Sequence, residues 1–223
     1  MTLAISSIRS HRGANTEMPS DSQSPVDFTS TLTVEPLMCY IDGSLGDDMS
    51  AVLDMPVTIS VTAPAFSWVA HRAVGDWNIV PEETRGVTFY VPDSTRRITE
   101  DGTEASLFQQ NLVRGALEIN AEHAFETFTN LMKSGISAEI AQTVLPSTFM
   151  LTCIVQGTVE TVLSFISWSA SGDEGVSDEM ATLGRGYQHM LEDFSPKYWA
   201  RLKESGFFPK DPAGLTDSDK ATQ

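Results

Sequence analysis

Positive charge is scarce in this chain: 14 Lys and Arg stand against 30 Asp and Glu over 223 residues, a formal net charge of −16. Long-range attraction to a polyanion needs a field of the opposite sign, so the balance argues against DNA or RNA as a partner. A single nucleotide is not excluded, because one phosphate needs only a few local donors. The supply of donors is nine arginines (Arg9, Arg12, Arg72, Arg85, Arg96, Arg97, Arg114, Arg185, Arg201) and five lysines. Cysteine is limited to Cys39 and Cys153, far apart, set among apolar neighbours and without metal-ligand spacing; this predicts a reduced, buried pair. No apolar run approaches the roughly 18 residues that a membrane span needs. The first thirty residues hold Arg9, His11 and Arg12 but no apolar core of a secretory signal, which reads as a cytoplasmic protein. A Gly-rich phosphate loop is missing, as are Ser-His-Asp and Cys-His signatures, so P-loop and hydrolase chemistry have nothing to rest on.

What is present suffices for one sizeable core, with 41% hydrophobic residues. Residues 1–30 are polar, rich in Ser and Thr, and too poor in apolar side chains to offset their ordering entropy, so the fold is expected over 31–208, with a flexible tail at 209–223. Strands are predicted at Thr31–Ile41 and Val57–Val61, and a short helix at Met49–Leu53. The stretch Ala70-His71-Arg72 through Trp77-Asn78 to Pro81 reads as a loop, followed by an extended Val87–Pro92. From Glu104 to Ser134 apolar residues recur at three- and four-residue steps as one long amphipathic helix, with Lys133 suited to its C-terminal dipole and Gly135 just beyond. Ser137 heads a short helix ending near Pro146, Thr148–Val155 is extended, and Thr158 caps a helix through Trp168 with Glu160 in its first turn. Another helix runs through Met180, Leu183, Tyr187, Met190 and Leu191. The class is α+β, a mixed sheet with long helices.

Several of these segments carry a resemblance. The run from His123 through Gly135, Glu139, Ala141-Gln142 and Leu145-Pro146 resembles the helix, Gly-x-x-x-Glu and Ala-Arg-x-x-Leu-Pro segment of flavin-dependent thymidylate synthases. Gly157-Thr158, Phe165–Ser171 and Asp178-Glu179-Met180 are similar to its next two helix starts, Ala70-His71-Arg72 with Asn78 and Pro81 to its Arg-His-Arg…Ser motif, and Ser50–Met55 to its Ser-x-x-Glu-His turn. The resemblance implies the thymidylate synthase-complementing fold, an oligomer with active sites shared between subunits, bound FAD, and methyl transfer to C5 of dUMP with methylenetetrahydrofolate and NADPH. It points to His71, Arg72 and Asn78 for the cofactor, and to Gln142, Ser169 and Arg85 for the nucleotide.

Departures from the pattern are as informative. Ala70 replaces the first motif arginine and Pro81 its serine, while Arg85 stands in for an arginine only after a two-residue shift. Gln142 occupies the place of a phosphate-binding arginine and Ser169 that of the arginine facing the pyrimidine. Thr158 and Glu160 replace an Asn and an Arg near the flavin. A neutral amide keeps a hydrogen bond but loses bidentate, charge-assisted pairing. Two readings follow. One is a divergent enzyme making a methyl or hydroxymethyl product on a uracil or cytosine deoxynucleotide, alone or with a paralogous partner. The other is a catalytically silent subunit of a hetero-oligomer. An unrelated acidic binding module is a third. Arg96 and Arg97 read as a solvated pair, and His123 and His189 as surface or core-edge residues without ligand-spaced partners.

Overall fold

The computed structural model describes residues 26–39, 48–82, 87–92, 105–172, 176–194 and 196–204. Its centre is a four-stranded antiparallel sheet in the order β2-β3-β6-β4, formed by β2 (Thr33–Cys39), β3 (Pro56–Pro64), β4 (Asn78–Pro81) and β6 (Met150–Thr158). Val57, Ile59, Val61 and Ala63 of β3 alternate inward, in register with Gly157, Val155, Cys153 and Leu151 of β6, as a period of two requires. That face carries helices α5 (Val159–Ser169) and α6 (Asp178–Phe194), with α7 (Pro196–Glu204) closing on the same core through buried Trp199 and Leu202. The opposite face is polar except at Ile154 and Val80: Thr58 and Thr62 line up with Gln156 and Thr152, Ser60 with Ile154, and the Thr62 and Thr152 hydroxyls share a 2.9 Å hydrogen bond.

Two short helices join these parts. Helix α1 (Met49–Leu53) is capped by Asp48, whose carboxylate accepts from the Ser50 and Ala51 N–H groups. Helix α2 (Ser67–Ala73) corrects the sequence expectation of a loop around His71-Arg72. Its seven residues are too few for intrinsic stability, and tertiary burial of Ser67, Trp68 and His71 decides the conformation. The fold also begins earlier than residue 31. Asp27–Thr29 form β1, which pairs in parallel with β5 (Thr88–Tyr90), because Phe28 and Val26 have apolar partners in Phe89 and Phe149 that local composition does not reveal. The tail at 209–223 lies outside the described residues.

Helix α3 (Leu107–Lys133) starts at a capping box in which Ser106 and Gln109 satisfy one another's backbone donors, and Gly135 follows it at φ +82°. Its period matches expectation, yet Ala121 alone among its residues is buried; Leu107, Phe108 and Leu112 are 70%, 75% and 62% exposed. The helix touches the rest of the chain near Ala121 and Phe125, which pack with Phe89, Phe149 and Leu145, and at α4 (Ala138–Ala141). Apart from Ala121 and Phe125, its apolar residues, Leu107, Phe108, Leu112 and Ile119 above all, are therefore not core residues of the single chain.

Candidate functional site

Of the residues that the sequence singles out, His71 is the most enclosed. Helical spacing puts Ser67, Trp68 and His71 on the inner side of α2, and the imidazole has no exposed surface. Four rings surround it: Phe165 at 4.6 Å between centroids, Trp77 at 5.0 Å, Trp68 at 5.3 Å and Tyr187 at 5.8 Å. Its Nε2 and the Tyr187 hydroxyl share a 2.7 Å hydrogen bond, while Nδ1 has no partner among the described residues. Burial without a neighbouring carboxylate lowers the His71 pKa to about 4, so the ring is neutral at pH 7. Burial likewise pushes the Tyr187 phenol up, and Cys153 adds to that rise.

Two glycines make room for Trp77. A Cβ at Gly157 would come within 2.9 Å of the indole, and Gly75, at φ +102°, turns the chain between α2 and β4 where a Cβ would meet Thr161 at 2.7 Å. Trp77 Nε1 donates to the Val74 carbonyl at 2.6 Å, and its ring stacks on Tyr187 with an interplanar angle of 17°.

Arg72 and Asn78 flank this cage and are exposed. Asn78 lies on the polar sheet face, where its Nδ2 donates to Gln156 Oε1 at 2.7 Å. Arg72 lies near enough to Cys153 to influence it: burial raises the thiol to about 11, Arg72 lowers it and Glu82 raises it. Cys153 is thus a buried, protonated thiol, in line with the expectation for it; the Cys39 side chain lies outside the described residues. Gln142 is exposed at the end of α4, where a single 3₁₀ turn over Gln142–Val144 follows. Ser169 is buried at the end of α5, its Oγ donating to the Ile166 carbonyl at 2.9 Å. Arg85, Arg96 and Arg97 lie outside the described residues. His123 and His189 are exposed, and among the described residues no group of His, Cys, Asp and Glu is placed to hold a metal ion.

For a flavin dinucleotide the exposed Arg72 guanidinium is the one permanently charged donor among the described candidates, and it fits a phosphate. The Asn78 amide supplies a neutral donor beside the Gln156 side chain. His71 fits differently, since a group without exposed surface meets a ligand only if its cage opens. Sequence reasoning missed Tyr187 as the partner of His71; it singled out Glu179 in the Asp178-Glu179-Met180 motif but missed its burial and its bond with Tyr90, whose hydroxyl donates to the carboxylate at 3.0 Å. The signal for Tyr187 was its place in the apolar repeat of α6; nothing in the sequence gave its partner.

Comparison with known proteins agrees with this architecture. The solved structure of the UMP/dUMP methylase PolB from Streptomyces cacaoi bound with 5-Br UMP superposes with a TM-score of 0.69 at 20% identity, covering 83% of this chain and 100% of that one. The same methylase bound with 5-Br dUMP gives 0.66 at 19% identity and the same coverage. The chain shares that methylase's fold. In sequence it is similar to the flavin-dependent thymidylate synthases of Streptomyces coelicolor and Streptomyces avermitilis, 28% and 26% identical over 102 residues, 40% of this chain. The match covers 42% of each relative, so the chain spans about two fifths of the length of the curated relatives it matches. No family model matches. No helix among the described residues is long and apolar enough to cross a membrane.

Proposed function

We propose that this chain is a divergent flavin-dependent, thymidylate synthase-like protein of pyrimidine nucleotide metabolism, acting in the cytoplasm within an oligomer of itself or with a paralogue. The reaction is transfer of a one-carbon unit, methyl or hydroxymethyl, to C5 of a uracil or cytosine deoxynucleotide. One observation carries the reading: local similarity to proteins named flavin-dependent thymidylate synthase coincides with the fold of a protein named UMP/dUMP methylase. FAD is the cofactor of this reading and methylenetetrahydrofolate the one-carbon donor; a methyl product takes two further electrons from NADPH, whereas a hydroxymethyl product takes water and no reductant. Arg72 and Asn78 face outward to meet the flavin, Gln142 and Arg85 serve the nucleotide, and a neighbouring subunit supplies donors that this arginine-poor chain lacks. The exposed apolar residues of α3 support the oligomer, because a helix of this length that buries so little has its covering surface elsewhere.

The inward turn of Ser169 favours a second reading, a subunit without chemistry of its own. Purification alone and after co-expression with a paralogue, followed by visible absorption and tritium release from C5-labelled dUMP and dCMP with the folate, NADPH and FAD, separates the two. Flavin and release from the chain alone support the enzyme; flavin and release only from the pair support the subunit. Neither in either preparation defeats the proposal.

A further inference from the structure

Helix α2, the Gly75 turn and β4 form one arm, residues 67–81, and little within the arm determines where it lies. A seven-residue helix does not hold itself. Strand β4 is a four-residue edge strand paired only with β6 among the described residues. Besides the β4–β6 ladder and the 3.3 Å bond from Trp68 Nε1 to the Ala63 carbonyl, what fastens the arm is the cage, in which His71 and Trp77 of the arm meet Phe165 of α5 and Tyr187 of α6. Ring contacts are broad minima that tolerate sliding, whereas a hydrogen bond is directional. The 2.7 Å bond between His71 Nε2 and the Tyr187 hydroxyl is thus the contact able to fix the register of α2 against α6.

We propose that His71 is a positioning residue rather than a ligand of the cofactor: bonded to Tyr187 and packed on Trp77, it sets the arm and so decides where Arg72 and Asn78 stand on the surface. The residue next in sequence, Arg72, points outward from the same helix, so any shift of α2 moves the guanidinium with it. Trp77 transmits the placement to Asn78, the first residue of β4, whose amide reaches Gln156. The motif His-Arg then divides its labour, one side chain anchoring and the other presenting.

The test uses the full chain, isotope-labelled, with Tyr187→Phe, which keeps the ring and removes the hydroxyl, and His71→Gln, whose amide still reaches that hydroxyl. Hydrogen exchange is read at the Asn78 side-chain amide and at the Glu82 N–H, which donates to the Thr152 carbonyl at 2.8 Å. Tyr187→Phe should speed both by about tenfold while Ile59 and Val61 of β3 keep wild-type protection, and His71→Gln should stay within about threefold of wild type. Equal acceleration throughout β3, or no change at Asn78 and Glu82, overturns the proposal. A flavin titration supplies the second readout and rests on the flavin reading. The His71 ring resonances should hold still while those of Arg72 move, and a His71 shift accompanying flavin binding makes it a ligand and overturns the proposal. If the wild-type chain binds no flavin, alone or with a paralogue, the flavin reading fails and the exchange result by itself decides the role of His71.

Discussion

Ser169 and Gly184 meet where α5 crosses α6, so closely that a Cβ added at Gly184 would overlap the Ser169 hydroxyl and stand 2.7 Å from its Cβ. The position that resembles a pyrimidine-facing arginine is thus occupied by a residue small enough to let two helices touch, with its hydroxyl turned back onto the Ile166 carbonyl. A serine at position 169 and the close packing of α5 on α6 are one structural fact.

Gly184→Ala should therefore destabilise the fold by about 1–3 kcal/mol, the usual range for overpacking a filled contact. Chemical denaturation of the purified variant measures it. Gly115, whose added Cβ would meet nothing, is the control, and Gly115→Ala should be neutral or slightly stabilising in a helix interior.

Restoring the charge should fail for the same reason. Ser169→Arg puts a guanidinium into a site that is 6% exposed and has no room at Gly184. Stability should fall by about 3 kcal/mol or more, since an unpaired charge is buried or the crossing is forced apart. A variant as stable as wild type that gains nucleotide affinity would show that α5 and α6 separate readily.

The pH dependence of stability follows from His71. Its folded pKa of about 4 lies below the ordinary 6.5, so the unfolded chain binds a proton that the folded chain refuses as pH falls between those values. Stability from this group is complete above pH 6.5 and is lost on acidification, at about 1.4 kcal/mol per pH unit and about 3 kcal/mol in all. Because many carboxylates also titrate toward the acid end, the quantity to measure is the difference between wild type and His71→Gln, whose amide does not titrate. The gap between their unfolding free energies should narrow from pH 7 to pH 5; a constant gap would mean that His71 carries no depressed pKa.

Much of the architecture was legible because periodicity reports local structure faithfully. The repeat from Leu107 to Leu131, the Thr158 cap and the alternation at Val57–Val61 each correspond to an element of the fold. Helix α2 and strand β1 were not legible, since Ser67–Ala73 and Asp27–Thr29 owe their conformations to Tyr187, Phe165 and Phe89, distant in sequence. The candidate site divides in the same way. Arg72 and Asn78 were nameable as polar residues in a motif, but whether His71 faced outward or inward depended on a hydroxyl 116 residues away.

Ser67 offers a test of the interior polar groups. Its Oγ is buried one helical turn before His71 and has no hydrogen-bond partner among the described residues. A buried hydroxyl without a partner costs about 1–3 kcal/mol relative to water, and Ala fits the same space with better helix propensity. Ser67→Ala should accordingly stabilise the chain by about 1 kcal/mol in a thermal or denaturant melt. A loss of similar size would mean that the hydroxyl is bonded in solution, most directly to the neighbouring His71 Nδ1.

The exposed apolar residues of α3 lead to the last expectation. Phe108 and Leu112 lie four residues apart on one side of the helix, and neither is covered by the chain's own core. If they pack against another subunit, Phe108→Glu removes apolar area from that interface and places a carboxylate there, on a chain already at −16. Like charges at a contact are unfavourable, so the mass by light scattering should fall toward 24.3 kDa. Folding within one chain should hardly change, because a residue that is three-quarters exposed contributes little to the core. Circular dichroism and the melting temperature at a concentration where both proteins are monomeric separate the two effects. Equal masses for wild type and variant would place the subunit contact away from this stretch of α3, and an equal loss of mass and secondary structure would mean that the helix packs against its own chain.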